Sequence, residues 1–261
     1  MKAARLYDKS QIEAFLRKNI YLNIYAIGDL DDFFWNDTVW YGLTENNAVR
    51  AVILLYTGSS LPTVHALSGE ADTMRELLRS IFHVLPSRFY AHVSPGVETA
   101  FQGQYRMQSF GKHYKMALND KSIISGVDCP RVIRLTEKDL DEVRELYEQA
   151  YPRTWFDPRM LNTRQYFGIR MGQKLISVAG IHVYSKRYNV AALGNIATHP
   201  HFRGRGLGTS VTARLCQSLS ENVQYIGLNV KADNAAPISL YEKLGFEVVT
   251  SYYECAVTRC S

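Results

Sequence analysis

The chain has 261 residues, 46% of them hydrophobic and 21% charged, and carries a net charge of +5. This is the composition of a soluble globular protein long enough for one large domain or two ordinary ones, not of a disordered or disulfide-dense chain. Lys and Arg are scattered rather than blocked, which argues against nucleic acid as a partner and suits a small polyanion. The start, Met1 to Asp8, has no apolar core of a signal peptide, and no apolar run is long enough to span a bilayer. Cys129, Cys216, Cys255 and Cys260 lack CxxC spacing, so reduced thiols and a cytoplasmic, membrane-free setting are expected.

In the first half, Ser10 to Asn23 reads as a helix. Strands are expected at Val39 to Leu43, Ala48 to Tyr56 and Val64 to Leu67, then a helix over Thr73 to Val84 and a strand at Arg88 to Val93. The polar, Ser/Gly-containing stretch over 121–130 ends in Pro130 and reads as a linker between a domain at 1–120 and another at 131–261. Thr136 and Asp139 form the capped start of a helix whose apolar stripe is Leu140, Val143, Leu146 and Tyr147. Three antiparallel strands follow, over Gln165 to Arg170, Lys174 to Tyr184 and Val190 to Thr198. A helix from Leu207 to Leu219 comes next, then a buried strand from Tyr225 to Val230 and a helix opened by Ala236-Pro237 and ended by Gly245. Phe246 to Val257 closes the chain as a pair of strands.

The two halves share this order. At an offset of 139, Phe246 falls on Met107, Tyr253 on Tyr114 and Val257 on Leu118, so a tandem repeat is expected. The expected fold is α/β (α+β): a central mixed, mostly antiparallel sheet flanked by helices, in two tandem copies.

The chemistry concentrates in Arg203-Gly204-Arg205-Gly206-Leu207-Gly208-Thr209 and, further on, Asn234 and Leu240-Tyr241-Glu242-Lys243-Leu244-Gly245-Phe246. A glycine turn opening a helix exposes backbone N–H groups to an anion. By itself it is also an ordinary strand-to-helix turn, and it is neither a Walker loop nor a dinucleotide fingerprint. The loop, the Asn and the Tyr segment in order resemble the GNAT superfamily of N-acyltransferases over about 131 to 258. Ile196 to Gly208 and Leu240 to Phe246 are similar in style to its glycine N-acyltransferase-like branch.

That resemblance implies acetyl-CoA, or another acyl-CoA, as co-substrate and no metal. It assigns the pyrophosphate to Arg203, Gly204, Arg205, Gly206, Leu207, Gly208 and Thr209, with solvated side chains as the alternative for the two arginines and a helix cap for Thr209. Pantetheine pairs with the strand edge at Ile196, Ala197 and Thr198, and the Ile196 backbone N–H faces the thioester carbonyl. Asn234 meets the CoA arm, with a plain helix cap as the alternative use, and Tyr241 protonates the departing thiolate, with a half-buried aromatic anchoring its helix as the alternative. The acceptor's base is less defined, because Asn195 stands on the facing strand and has no basic form. His182 is the candidate base, and a structural strand histidine is its alternative. The aromatic loop from Tyr151 to Pro158, with Asp157, is the expected recognition loop, with plain packing as its alternative. His199 and His201 flank Pro200 as neighbours of the cofactor or as solvated side chains.

In the first half the glycine loop is replaced by Ser68-Gly69-Glu70-Ala71-Asp72-Thr73, whose carboxylates repel phosphate, so this copy is read as degenerate. His65, His92 and His113 lie on its strands without the spacing of a zinc motif. Phe33-Phe34-Trp35 and Trp40-Tyr41 read as core. The expected reaction is acetyl transfer to the primary amine of a small molecule by direct attack in a ternary complex. An acyl-CoA-holding module without catalysis and an acetyltransferase of protein amines are the alternatives.

Overall fold

The computed structural model describes residues 1–152 and 154–260. Arg153, inside the expected recognition loop, and Ser261, the end of the expected second domain, lie outside the described residues. The chain divides into two compact units. Unit 1 comprises Met1–Lys115, Lys231–Asp233 and Val248–Ser261, and unit 2 comprises Met116–Val230 and Asn234–Glu247.

Unit 1 contains β1 (Lys2–Leu6), α1 (Lys9–Leu16), α2 (Ile24–Gly28), α3 (Asp32–Trp35), β2 (Thr38–Glu45), β3 (Ala48–Tyr56), β4 (Thr63–Ala66), α4 (Ala71–Ser80), β5 (Arg88–Val93) and most of β6 (Tyr105–Leu118). β1 to β4 pair antiparallel in sequence order, and β4 runs parallel to β5. Alternation along the strands divides the apolar residues between two faces. Ala51, Ile53 and Leu55 of β3 join Phe89, Ala91 and Val93 of β5 under Met74, Leu77 and Leu78 of α4. Val52 and Leu54 line the opposite face with Leu16, Tyr25 and Trp40. Phe34 and Trp40 are buried core, while Phe33, Trp35 and Tyr41 are half-buried.

The first helix is shorter than the expected Ser10 to Asn23. The Asn23 amide donates to the carbonyls of Leu16 at 3.0 Å and Asn19 at 3.1 Å. This buried side chain satisfies carbonyls that a continuing helix would use itself.

Unit 2 contains α5 (Lys121–Ser125), β7 (Ile133–Arg134), α6 (Leu140–Ala150), β8 (Phe167–Met171), β9 (Lys174–Ser185), β10 (Val190–Thr198), α7 (Leu207–Ser220), β11 (Tyr225–Lys231), α8 (Ala235–Lys243) and the start of β12 (Phe246–Arg259). β7 to β10 pair antiparallel in order, and β10 runs parallel to β11. Thr136 and Asp139 form the reciprocal capping box before α6, an arrangement worth about 1 kcal/mol. Both units are mixed, mostly antiparallel sheets flanked by helices. The order β2-β3-β4-α4-β5-β6 is repeated as β8-β9-β10-α7-β11-β12, with a short 3₁₀ helix at Val97–Phe101 where unit 2 has α8.

Three expectations need correction. The closing pair of strands is one 14-residue strand, uninterrupted by Gly, Pro, Asn or Asp. Its segment Tyr253–Thr258 pairs antiparallel with β5, so residues 248–261 belong to unit 1 rather than to the second domain. The stretch 121–130 is not bare linker. Asp120 caps α5, Ile124 is buried, and Gln217 of α7 donates to the carbonyls of Ile124 and Val127.

Candidate active site

The site in unit 2 begins with two compensating irregularities in the β9–β10 ladder. Ala192 faces Val183 and Leu193 faces Ile181, so His182 is an extra residue on β9. Gly194 then faces Gly180 while Ala197 faces Val178, which places an extra residue on β10. On its other side, β10 pairs with β11 from Val190 to Leu193 and no further. The edge of β10 beyond Leu193, carrying Ile196, Ala197 and Thr198, is therefore released from the parallel pairing.

Asn195 sits at this bulge with φ +56° and is 2% exposed. Asn tolerates the left-handed region better than most residues. Its amide lies in a buried polar knot: Thr154 Oγ1 donates to Oδ1 at 2.9 Å and Nδ2 donates to the Tyr166 hydroxyl at 3.0 Å. The Tyr147 hydroxyl donates to the Asn195 backbone oxygen at 2.9 Å. Burial first of all pushes the pKa of both tyrosines upward, so both stay protonated.

Beyond β10, the glycine turn leads into α7. Gly204 and Gly206 both have φ +73°, a conformation that glycine reaches without strain, and a Cβ at either would meet nothing within 4 Å. The turn thus presents open backbone. The N–H groups of residues 207 to 209 begin a 14-residue helix with no acid in its first turn, a setting favourable to anions. Gly208 lies close to neighbouring side chains: a Cβ there would come 3.3 Å from Leu240 and 3.5 Å from Thr198. Arg203, an expected phosphate contact, also has backbone partners of its own. Its guanidinium braces the backbone by donating to the carbonyls of Thr198 at 3.2 Å and Ala150 at 3.1 Å. Arg205 lies over the Phe202 ring and donates to the His201 carbonyl. Both arginines remain exposed.

Asn234 occupies the N-cap position of α8, yet its side chain makes no capping bond and is exposed. Tyr241 lies on the buried side of the same helix, 5.9 Å edge-on from Phe246. Burial, with smaller contributions from Tyr151 and Cys216, raises its pKa. The phenol is therefore a proton donor across the physiological range.

His182 is half-buried, with its ring 5.7 Å from that of Trp155 and lying against Gly194. Asp157 caps the 3₁₀ turn at Pro158–Thr163, accepting from the Arg159 N–H and pairing with its guanidinium at 2.6 Å. That use is local and structural. His199 accepts from the His201 backbone N–H. The loop, the released edge and α8 all belong to unit 2.

The corresponding place in unit 1 is closed. β4 pairs with β5 through its last residue, Ala66 opposite Val93. Ser94 extends the closure, donating its N–H to the Ala66 carbonyl at 3.2 Å and accepting from the Ser68 N–H at 3.0 Å. The three strand histidines do converge here, around a carboxylate. His92 and His113 each approach Glu254 at 3.5 Å, His65 lies 4.6 Å from His92 between ring centres, and Tyr252 donates to Glu254 at 2.6 Å. Nearby, Lys115 is buried 5.0 Å from the rings of both Tyr25 and Tyr252, and burial, opposed by Glu254, lowers its pKa to about 7. Among the described residues no group of His, Cys, Asp or Glu has the geometry to hold a metal ion, and no helix is long and apolar enough to cross a membrane.

In the sequence Asn195 stands out for the base it lacks, while the knot around it has no local signal. Tyr147 read as one more residue in an apolar stripe, and Tyr166 as part of a strand. Only the positive φ and the converging hydroxyls distinguish them.

The acetyltransferase (GNAT) family model matches residues 132–246. Over 134 residues the chain is 30% identical to the [ribosomal protein bS18]-alanine N-acetyltransferase of Salmonella typhimurium, covering 47% of this chain and 86% of that protein. It is 35% identical over 120 residues to the mycothiol acetyltransferase of Mycolicibacterium smegmatis, covering 43% of this chain and 36% of that protein. The chain thus spans about a third of the length of this second relative. In fold it resembles a tandem GNAT protein from the clavulanic acid biosynthesis pathway, with TM-score 0.61, 14% identity, and coverage of 99% of this chain and 98% of that one. The chain belongs to the acetyltransferase (GNAT) family.

Proposed function

We propose that this chain transfers the acetyl group of acetyl-CoA to the primary amine of a small molecule, by direct attack in a ternary complex. The observation that carries the reading is the release of β10 from β11 after Leu193, beside an open glycine turn at the start of α7. A free strand edge pairs with an extended amide chain such as pantetheine, and helix-start N–H groups suit a pyrophosphate. The residues present fit acetyl-CoA, which supplies the activated acyl group.

In this reading, the edge at Ile196, Ala197 and Thr198 holds the pantetheine arm. Gly204, Gly206, Leu207, Gly208 and Thr209 offer backbone to the phosphates, with Arg205 at the rim and Arg203 bracing the turn. Asn234 hydrogen-bonds the CoA arm through its exposed amide. His182 takes the proton that the ammonium must lose, directly or through water. The amine nitrogen then bonds to the thioester carbon, while the Ile196 N–H stabilises the negative oxygen. As the carbon–sulfur bond breaks, the Tyr241 hydroxyl donates its proton to the thiolate, and the second proton of the attacking nitrogen passes through water to restore the phenol, leaving the neutral amide and the free thiol.

Unit 1 is, on the same reading, a degenerate second copy. Ser94 closes its strand pair, and Glu70 and Asp72 stand where phosphates would bind. This supports a tandem arrangement with a structural first domain and a catalytic second one; the reading also takes in a glycine N-acyltransferase-like branch and a cytoplasmic setting that keeps the cysteines reduced.

Thiol release from acetyl-CoA, measured against a panel of small primary amines and peptides with a free N-terminal alanine, tests the reading. Turnover with small amines supports it. Turnover confined to peptides moves the acceptor to a protein, and acetyl-CoA binding without turnover leaves a holding module.

A further inference from the structure

One planar peptide group in unit 2 joins the Asn195 carbonyl to the Ile196 N–H. In a trans peptide these two dipoles point in opposite directions, so whatever fixes the carbonyl also aims the N–H. The carbonyl accepts from the Tyr147 hydroxyl at 2.9 Å. Tyr147 is 5% exposed and stands on the packed face of α6, so its hydroxyl has little freedom to wander. The Asn195 side chain secures the same peptide from the other direction. Thr154 of the recognition loop donates to Oδ1, Nδ2 donates to the Tyr166 hydroxyl, and Tyr166 donates onward to the Ile181 carbonyl at 3.2 Å. Donor and acceptor roles agree at every bond. An aspartate would place an acceptor against Tyr166 and break that consistency, which is a physical reason for an amide at 195. The left-handed backbone of Asn195 costs about 1 kcal/mol. The filled network offsets it.

We propose that Tyr147 and Asn195 are positioning residues. They aim and polarise the Ile196 N–H at the thioester carbonyl, and through Thr154 they tie that donor to the recognition loop. The proposal rests on the acetyl-CoA reading above. A hydrogen bond at one end of a peptide group strengthens the donor at the other, so Tyr147 acts on the thioester carbonyl without touching it.

The test is isotope-edited infrared spectroscopy of ¹³C-acetyl-CoA bound to the full chain, together with steady-state kinetics. In the unaltered protein the thioester C=O stretch should lie below its value in free acetyl-CoA. Tyr147→Phe should return it toward the free value and lower kcat about tenfold, a fraction of the loss from removing an oxyanion donor outright. The Kd for acetyl-CoA should change less than twofold. Thr154→Val, which cuts only the loop from Asn195, should raise the acceptor KM more than it lowers kcat. A purely structural role would lower Tm and leave the stretch alone. An unchanged stretch and kcat in Tyr147→Phe overturn the proposal while the acetyl-CoA reading stands. Failure of the unaltered protein to bind acetyl-CoA overturns both. If Tyr147→Phe does not fold, Tyr166→Phe, which removes the Nδ2 acceptor, must show the same directional shift, and its absence counts against the proposal.

Discussion

The imidazole of His182 lies so close to the α-carbon of Gly194 that a Cβ at 194 would fall 2.0 Å from Cδ2 and 2.4 Å from Nε2. The glycine is a space requirement rather than a turn, and the extra residue on β9 is what brings the ring there. Gly194→Ala should therefore expel His182 from its place beside Trp155. Overpacking of this kind costs about 1–3 kcal/mol, and with His182 displaced kcat should fall at least about tenfold. Thermal unfolding of Gly194→Ala in the His182→Ala background checks the cause. With the ring gone, the added methyl should cost little stability, and an equal cost in both backgrounds would locate the strain elsewhere.

Tyr241 is buried and protonated, and in the proposed mechanism its proton leaves with the thiolate. Tyr241→Phe preserves the ring packing on Phe246. The expected result is a loss of about 10²-fold in kcat with little change in acetyl-CoA affinity. Rapid-quench kinetics and calorimetry separate the two quantities. A large loss of affinity at unaltered turnover would make the tyrosine a binding residue.

The glycine turn is open, so substitution there acts through backbone conformation and charge instead of collision. Gly206→Glu adds about 1 kcal/mol of strain at φ +73° and places a carboxylate at the start of α7. Acetyl-CoA affinity should fall by more than about tenfold, while circular dichroism stays unchanged. In the unaltered protein, calorimetry should report one acetyl-CoA per chain, because Ser94 closes the corresponding place in unit 1. Two sites per chain would contradict the degenerate copy.

Asp29 of unit 1 is 5% exposed, and burial raises its pKa from 3.8 to about 8. Between these values the folded chain keeps a proton that the unfolded chain has released. Stability from this group is therefore full below about pH 4, falls as pH rises, and levels off above about pH 8. Asp29→Asn removes the titration. Its unfolding free energy should nearly equal that of the unaltered protein at pH 4 and exceed it increasingly toward pH 8, by about 2 kcal/mol there, less than the full linkage because water relaxes around a buried carboxylate. A difference independent of pH would show that Asp29 ionises normally in the folded chain.

Much of the architecture was legible in local pattern. Val190 to Thr198 and Ala48 to Tyr56 are strands with the expected bounds, and the Thr136–Asp139 box and the helix after the glycine turn lie where their residues place them. Periodicity, caps and glycine turns depend on neighbours within a few residues, so sequence alone determines them. The family resemblance was legible for the same reason, since its motifs are short and contiguous. Tertiary structure alone decided that the last strand is continuous and gives its end to unit 1, because strand pairing is a contact between distant segments. It alone set the two opposed register shifts that release the β10 edge and bring His182 onto Gly194. It also turned Asn195 from a missing base into the centre of a hydrogen-bonded knot, by bringing hydroxyls from residues 147, 154 and 166 to the backbone and side chain of one residue. Register and convergence of this kind have no local signature. They follow from how separate segments pack, which the order of residues implies only once the chain has folded.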